Sequence, residues 1–487
     1  MLFNSLHFAL FFPLVTLLYF YLPQNKRWAL LLFASCYFYM VFIPIYILIL
    51  FFTIIIDYFA GILIENASGR KRKLYLSWSI IANVGVLAIF KYFDFFVTNI
   101  NAVGEALHLH YPIHLLGIIL PVGLSFHTFQ AMSYTIEVYR GNQKAERHFG
   151  IYSLYVMYYP QLVAGPIERP QNIIHQFKEK HNFNYKRVKS GLMLMAWGLI
   201  KKIVIADRLS IFVDRAYSNL DGYENVGLII AAIFFSFQIY CDFSGYSDIA
   251  IGASRVMGIE LMTNFRQPYF SQSISEFWKR WHISLSTWFR DYLYIPLGGN
   301  RVKTLGRAYL NIFLVFLISG FWHGAQWTFI VWGALHGLYL LSALIRDRIF
   351  GMRKKNKNRV RNILNVIFTF LLVTLAWVFF RAPNFETAQL IFSKMFEGWG
   401  SLISNVLSGN IPYDNLSLGL GKAPLFTAVG VIIFLLAFDK LHSKINMNKW
   451  ISKQALPLRY SVYIGAVFAI YFLGSFKTDS SFIYFQF

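Results

Sequence analysis

The sequence predicts an all-α, polytopic membrane protein, and we expect residues 1–487 to form a single membrane-embedded domain. Composition is the first observation that supports this fold class. Hydrophobic residues make up 57% of the chain and charged residues only 14%, and the mean hydropathy is +0.49. A soluble domain normally carries about a quarter charged residues, so lipid is the expected solvent for this much apolar surface.

The second observation is the recurrence of long apolar runs. A helix that crosses a membrane needs ~20 mostly apolar residues. Runs of about this kind occur at 5–22, 28–43, 45–64, 77–97, 113–136, 188–206, 225–257, 308–345, 362–380, 424–439 and 458–475. Because 28–64 and 308–345 are each long enough for two passes, length predicts roughly eleven or twelve membrane segments.

Two stretches, 149–170 and 264–300, are less apolar and contain Pro and Gly. We interpret them as re-entrant or interfacial pieces. Irregular backbone is tolerated at membrane depth only where it is buried in protein.

The basic residues predict the orientation of the chain. Net charge is +22, and the Lys and Arg residues cluster in short loops between apolar runs. We place the following clusters in the cytoplasm: 26–27, 70–73, 140–147, 178–189, 353–361 and 440–453. The N-terminus and 382–423 then lie outside. Such clusters suit anionic lipid or a phosphorylated cofactor, and we expect no nucleic-acid partner.

Polar residues concentrate in 264–301, NFRQPYFSQSISEFWKRWHISLSTWFRDYLYIPLGGNR. We predict a helix from Ile274 to Trp288, with Ser273 as N-cap and Glu276 completing a capping box. The conservative interpretation is an interfacial amphipathic helix, with Trp at headgroup level and basic residues on lipid phosphate.

A second polar group lies in 319–337, where His323 and His336 stand among apolar residues. A lone His on an apolar helix is more often a hydrogen-bonded core residue than a catalyst. Imidazole can nevertheless take a proton from a hydroxyl near neutral pH, and burial is expected to keep it uncharged. We expect Gly320 and Gly324 to let a substrate chain approach the backbone.

The remaining polar positions favour structural roles. Asp242 and Asp248 are expected to pair with basic residues, Arg255 being one candidate, because charges inside a membrane are usually paired. His108, His110 and His114 have only Glu105 as a nearby acidic residue, and we predict no metal site. The chain has no P-loop, HExxH, GxSxG or dinucleotide fingerprint.

Seven motifs together resemble the membrane-bound O-acyltransferase family, and more narrowly its bacterial branch of polysaccharide O-acetyltransferases. The resemblance covers nearly the whole chain. The motifs are LPVGLSFHTFQAMSYTIEVYRG (120–141), YPQLVAGPIERP (159–170), YCDFSGYSDIAIG (240–252), EFWKRWHISLSTWFRDYLYIPLGGNR (276–301), WHGAQWTFIVWGALHG (322–337), WVFFRA (377–382) and FIYFQF (482–487).

The resemblance implies that His323, in WHG, is the essential catalytic histidine and that His282, in RWHISLS, is the second family histidine. It implies a fold with a central funnel or tunnel, across which the two residues lie near each other. Acetyl-CoA would be the cytoplasmic acyl donor, and we expect Lys279, Arg280 and Arg301 to hold its phosphates.

The resemblance also implies a setting. The chain would lie in the bacterial cytoplasmic (inner) membrane and serve an extracytoplasmic polysaccharide: alginate, peptidoglycan, cellulose or another exopolysaccharide. Since it contains no soluble domain of that kind, an extracytoplasmic SGNH-hydrolase-like acetyltransferase is the expected partner.

Three alternatives remain open at this point. The family's D-alanyl-transferring branch also has RWH and WHG elements, although the LGGNR sequence and the longer C-terminal region favour acetyl transfer. A polysaccharide or small-molecule transporter would use buried charges as a substrate path, but no inverted repeat is evident. A non-catalytic scaffold for a surface acetylation complex would differ only in activity.

Overall fold

The computed structural model describes residues 1–109, 112–351, 358–445, 447–475 and 482–483. All regular structure in these ranges is helical, which confirms the predicted all-α class. Eight helices among them are long and apolar enough to cross a membrane: Pro44–Asn66, Gly69–Ala106, Asn225–Met257, Leu305–His323, Trp327–Ile349, Arg359–Arg381, Lys422–His442 and Leu456–Leu473. His110 and the basic residues at 353–357 lie outside the described residues.

Backbone contacts divide the described chain into two compact units. Unit 1 comprises Met1–Met195 and Tyr246–Thr263, and unit 2 comprises Ala196–Gly245 and Asn264–Ile483. The division falls inside two helices, Tyr185–Leu199 and Asn225–Met257, and also between Thr263 and Asn264.

Unit 1 is built around helices Leu6–Tyr21, Gln24–Met40, Ile47–Asn66, Gly69–Leu87, Phe93–Ala106, Leu124–Arg140, Phe149–Met157 and Pro170–Lys178. A buried polar network joins three of them. Asp57 accepts hydrogen bonds from Ser79 Oγ at 2.6 Å and from Asn83 Nδ2 at 2.8 and 3.0 Å. Ser79 Oγ also lies 2.8 Å from Thr135 Oγ1. These neutral partners satisfy a carboxyl group that would be costly to bury alone.

The other helices of unit 2 are Asp207–Ser218, Ile274–Arg280, Ile283–Phe289, Leu305–His323, Trp327–Ile349, Arg359–Arg381, Phe385–Phe396, Trp399–Leu407, Tyr413–Leu416, Lys422–His442, Met447–Ser452 and Leu456–Leu473. A π-helical segment, Ile200–Ala206, precedes the first of them. The core of this unit is rich in large aromatic side chains, including Trp281, Trp332 and Trp377, each exposed by 1% or less.

The predicted apolar runs correspond to the helices in most places. The run 308–345 is indeed two helices, separated by Gly324, Ala325 and Gln326. The prediction of a helical span over 113–136 is wrong in its first half, because the helix begins only at Leu124. Pro121 and Gly123 stand before it, and Gly123 has a left-handed φ of 78°. Gly adopts this conformation without steric cost and can therefore turn the chain into the helix.

The segment 149–170 also differs from a membrane span. After Phe149–Met157 the chain forms no helix until Pro170, yet residues 158–168 are all buried. Tyr155 Oη donates a hydrogen bond to the carbonyl oxygen of Glu168 at 3.1 Å, and Gln161 Nε2 donates to that of Tyr155 at 2.9 Å. Irregular backbone is therefore enclosed by protein, as expected for such a piece.

Helices Leu305–His323 and Trp327–Ile349 meet through glycine. A Cβ atom on Gly320 would lie 2.3 Å from the carbonyl oxygen of Phe329, and one on Gly333 would lie 2.4 Å from that of Phe316. A Cβ on Gly324 would collide with the Phe329 ring at 2.2 Å. The expectation that Gly320 and Gly324 face a substrate chain is therefore wrong. These glycines let protein atoms pack closely.

Three buried charged side chains of unit 2 form ion pairs with one another. Lys202 Nζ lies 2.7 Å from Asp242 Oδ1 and 2.8 Å from Asp207 Oδ1, and all three side chains are buried. Asp242 Oδ2 also accepts the backbone N–H of Ile483 at 2.7 Å. A structural ion pair for Asp242 is thus confirmed, but the candidate partner Arg255 is wrong for this carboxylate. Arg255 pairs instead with Glu260, at 3.2 Å.

Candidate active site

His323 is the last residue of helix Leu305–His323, and the chain turns to an extended conformation at Gly324. Its side chain is buried, with 5% exposure. Among the described residues, three aromatic rings lie against the imidazole, with centroid distances of 4.8 Å to Trp322, 4.9 Å to Trp332 and 5.5 Å to Phe380. The imidazole therefore sits in an apolar cage at a helix end, where electrostatic interactions are little screened by water.

His336 shares one of these rings with His323. Its imidazole centroid lies 5.1 Å from that of Trp332, on the same helix, and Trp332 therefore contacts both histidines. Trp278 Nε1 donates a hydrogen bond to His336 Nδ1 at 3.3 Å. An indole N–H can only donate, so Nδ1 must be the acceptor and the proton of neutral His336 lies on Nε2. His336 is thus a hydrogen-bonded core residue.

The segment 264–301 contains two short helices rather than one. Ser273 Oγ accepts the Glu276 N–H at 3.2 Å, and Glu276 accepts the Gln272 N–H at 2.8 Å, which confirms the predicted helix start. A single helix through Trp288 is wrong, because the first ends at Arg280 and the second begins at Ile283. His282 breaks the helix with a left-handed φ of 43°. A residue with a side chain seldom adopts this conformation unless its surroundings hold it there.

His282 is fully buried, at 0% exposure. Its Nδ1 lies 3.1 Å from Asn264 Oδ1, and its ring packs edge-on against Phe243 with a centroid distance of 4.6 Å. Burial lowers the pKa of His282 to about 3, so the imidazole is neutral at physiological pH. Neither a motif nor a spacing distinguishes Asn264 in the sequence as a functional residue. Its only signal was its place at the start of the polar run.

Both predicted catalytic histidines lie in unit 2 and adjoin one group of aromatic rings. The rings follow one another in the order His282, Phe265, Trp281, Trp377, Trp332 and His323. The centroid distances between successive rings are 6.4, 5.1, 5.0, 5.6 and 4.9 Å. We call Phe265, Trp281, Trp332 and Trp377 the aromatic wall. It connects the two histidines through apolar surface, which is suited to excluding water from a reaction.

The predicted phosphate-binding residues are found in two places. Lys279 and Arg280 end the helix Ile274–Arg280, where Lys279 is exposed and Arg280 pairs with Glu276 at 2.6 Å. Arg301 is exposed, just after the Gly298–Gly299 turn. Asn311 supports that turn by donating to the carbonyl oxygens of Leu297 and Gly299, both at 3.1 Å. Phosphate binding by these three residues stays a prediction.

Across the described ranges, no three His, Cys, Asp or Glu side chains come together as a metal site would require. His108 and His114 lie in those ranges, on either side of residues 110–111. His282 is buried and neutral, and a neutral imidazole is able to accept a proton.

Comparison with known proteins places this site in a family. A model of the membrane-bound O-acyltransferase family matches residues 148–382, which contain both histidines. The peptidoglycan O-acetyltransferase of Helicobacter pylori is 36% identical over 95% of this chain and 91% of its own length. The chain belongs to the membrane-bound O-acyltransferase family. It is thus a multi-pass membrane protein and an acyltransferase.

Other relatives show where the chain stands within the membrane-bound O-acyltransferases. The probable alginate O-acetylase AlgI of Pseudomonas aeruginosa is 39% identical over 81% of this chain and 74% of its own length. The teichoic acid D-alanyltransferase of Bacillus subtilis is 26% identical over 57% of this chain and 72% of its own. The similarity to the acetylating relatives is thus both higher and more extensive.

Proposed function

We propose that this protein is a membrane O-acetyltransferase that passes an acetyl group from cytoplasmic acetyl-CoA toward an extracytoplasmic polysaccharide. The relatives that resemble it over most of its length are named for the O-acetylation of peptidoglycan and of alginate. We place it in the bacterial cytoplasmic membrane, with an SGNH-hydrolase-like partner completing transfer outside. The lower similarity to D-alanyltransferases favours acetyl over D-alanyl transfer.

The observation that supports this function best is the position of His323. It is buried among aromatic rings at a helix end, within the family region. In the proposed reaction His323 takes the proton of an acceptor hydroxyl, whose oxygen bonds to the thioester carbonyl carbon. The carbon–sulfur bond then breaks, and the proton passes to the departing thiolate to give free CoA. General-base help of this kind is worth ~10²–10⁴-fold in rate.

The other predicted residues take supporting roles. His282 orients the reacting groups from the far end of the aromatic wall. Lys279 and Arg301 carry exposed positive charge suited to the phosphates of CoA, whereas Arg280 would have to share its guanidinium with Glu276. Positioning and the exclusion of water would supply the remaining rate acceleration.

The decisive experiment measures CoA release. The purified protein in detergent is incubated with acetyl-CoA and with either peptidoglycan fragments or alginate oligosaccharides, each with and without the purified extracytoplasmic partner. We expect free thiol to accumulate with one acceptor and acetyl ester to form in equal amount. The matched control is His323→Ala, which should release no more thiol than heat-inactivated protein. Thiol release at that background level from the unaltered protein with every acceptor would contradict the proposal.

A further inference from the structure

The amide of Asn264 has a determined orientation. Its Oδ1 lies 3.2 Å from the backbone nitrogen of Ser284 and accepts a hydrogen bond from Ser284 Oγ at 3.0 Å. A backbone N–H can only donate, so the side-chain atom that faces it must be the amide oxygen and not the nitrogen. The same oxygen lies 3.1 Å from His282 Nδ1.

This orientation determines the tautomer of His282. An amide oxygen can only accept hydrogen bonds, so Nδ1 must carry the proton that it donates to Asn264. In a neutral imidazole the other nitrogen then carries the lone pair. His282 is neutral because burial lowers its pKa to about 3. Its Nε2 is therefore an acceptor of protons or hydrogen bonds.

We propose that Asn264 is a positioning residue that fixes the Nδ1–H tautomer of His282, so that His282 serves the reaction as a hydrogen-bond acceptor through Nε2. This inference rests on the proposed function, in which His282 orients the reacting groups. It makes that role specific: Nε2 accepts a hydrogen bond from a donor group of the acceptor other than the attacking hydroxyl, whose proton goes to His323. It also excludes a role for neutral His282 as a donor to the thioester oxygen.

The backbone around His282 is held by the same residue. The carbonyl oxygen of Asn264 accepts the Ile283 N–H at 2.9 Å, and two residues on, the Arg266 N–H donates to the carbonyl of Arg280, also at 2.9 Å. Hydrogen bonds thus connect the 264–266 segment to both sides of the left-handed residue. Asn264 therefore both holds the left-handed backbone conformation of His282 and orients its ring.

A purely structural Asn264 is the competing explanation, and the two differ in kinetics. Loss of a structural amide lowers the amount of folded protein but leaves the rate per folded molecule unchanged. If the amide instead fixes the tautomer of His282, its loss lowers kcat. In serine proteases a wrong histidine tautomer lowers kcat ~10⁴-fold. Here we expect a fall in kcat of at least about tenfold, with KM for acetyl-CoA within about twofold of the unaltered protein.

Two substitutions in the full-length protein test this. Asn264→Leu removes the acceptor at similar volume and should give that fall in kcat. Asn264→Asp keeps an oxygen for Nδ1–H but adds a negative charge, which raises the pKa of His282. As pH falls through the raised pKa, Nε2 becomes protonated and can no longer accept. The acid limb of the kcat profile should therefore move to higher pH, measured between about pH 5 and pH 9.

The control is Asn83→Leu, which removes another fully buried asparagine, in unit 1. It should lower the yield of folded protein without altering the pH profile. The inference is overturned if Asn264→Leu keeps the normal kcat, or if the Asn264→Asp profile superimposes on that of the unaltered protein. Should Asn264→Leu fail to fold, the Asn264→Asp profile decides. Full activity of His282→Ala would instead remove the proposed role of His282 itself.

Discussion

Trp278 donates its indole N–H to Nδ1 of His336 across 3.3 Å, and both side chains are buried. This bond assigns His336 to the protein core. His336 nevertheless lies close to the candidate site, because Trp332 contacts both His336 and His323. The two histidines of the segment 319–337 therefore have different roles, which substitution can separate.

We expect His336→Ala to lower the stability of the protein more than its catalytic rate. The change leaves the Trp278 N–H without its acceptor, which costs about 1–3 kcal/mol for a buried donor, and it adds a cavity. The melting temperature of the purified protein in detergent should fall, while CoA release per folded molecule should stay within severalfold of normal. His336→Gln, which offers an oxygen acceptor, should recover part of the lost stability.

An exposed histidine provides the comparison. His175 is more than half exposed, and His175→Ala should leave the melting temperature unchanged. If His336→Ala were as stable as His175→Ala but inactive, His336 would belong to the chemistry, and its assignment to the core would be wrong.

Gly333 offers a test of the helix pair that carries His323. An added Cβ would lie 2.4 Å from the Phe316 carbonyl oxygen and 3.0 Å from the Gly320 Cα, both of them backbone atoms. Gly333→Ala should therefore force the helices apart and lower both membrane yield and activity in proportion. The matched control is Gly430→Ala in helix Lys422–His442, where no atom lies within 4 Å of the added Cβ. Fluorescence-detected size exclusion of the two variants measures the difference, and equal yields would contradict this packing.

Much of the helical architecture follows from the sequence because lipid imposes a simple requirement. A spanning helix must be apolar for ~20 residues, and runs such as 308–345 could be divided by length alone. The motifs around His282 and His323 were recognisable for a different reason, since their residue order is specific to a family. Both kinds of signal are local in sequence.

The features that sequence reasoning missed depend on contacts between distant residues. Asn264 and His282 are eighteen positions apart, and no Gly or Pro marks the helix break at His282. Lys202 lies inside the apolar run 188–206, and its partner Asp242 is forty positions away, so the sequence gives no sign of this pair. By charge alone, Arg255 is as plausible a partner for Asp242 as Lys202. Only the packed structure determines which cation reaches a buried carboxylate.

Orientation can be tested at two exposed positions of unit 2. In a variant without Cys36 and Cys241, a cysteine at Ser408 should react with an impermeant maleimide in intact cells, because 382–423 is predicted to lie outside. A cysteine at Asn358, beside the basic cluster predicted to be cytoplasmic, should react only after the cells are opened. Both residues are exposed, so burial would not explain a difference. The reverse pattern of reactivity would contradict the predicted orientation, because the face assigned to acetyl-CoA would then lie outside the cell.

The last prediction concerns the proton acceptor. His323→Ala should abolish acetylation of surface polymer at a normal membrane protein level, because a methyl group cannot take a proton. His323→Gln keeps hydrogen-bonding capacity but has no titratable nitrogen, so it should be equally inactive if His323 is a base. If the role of His323 were structural, the His323→Gln variant would be partly active, and its activity would follow the level of membrane protein. The measurement is polymer-bound acetyl against membrane protein for each variant, with Gly430→Ala as the control for handling. Substantial acetylation by His323→Gln at normal expression would rule out base catalysis by this residue.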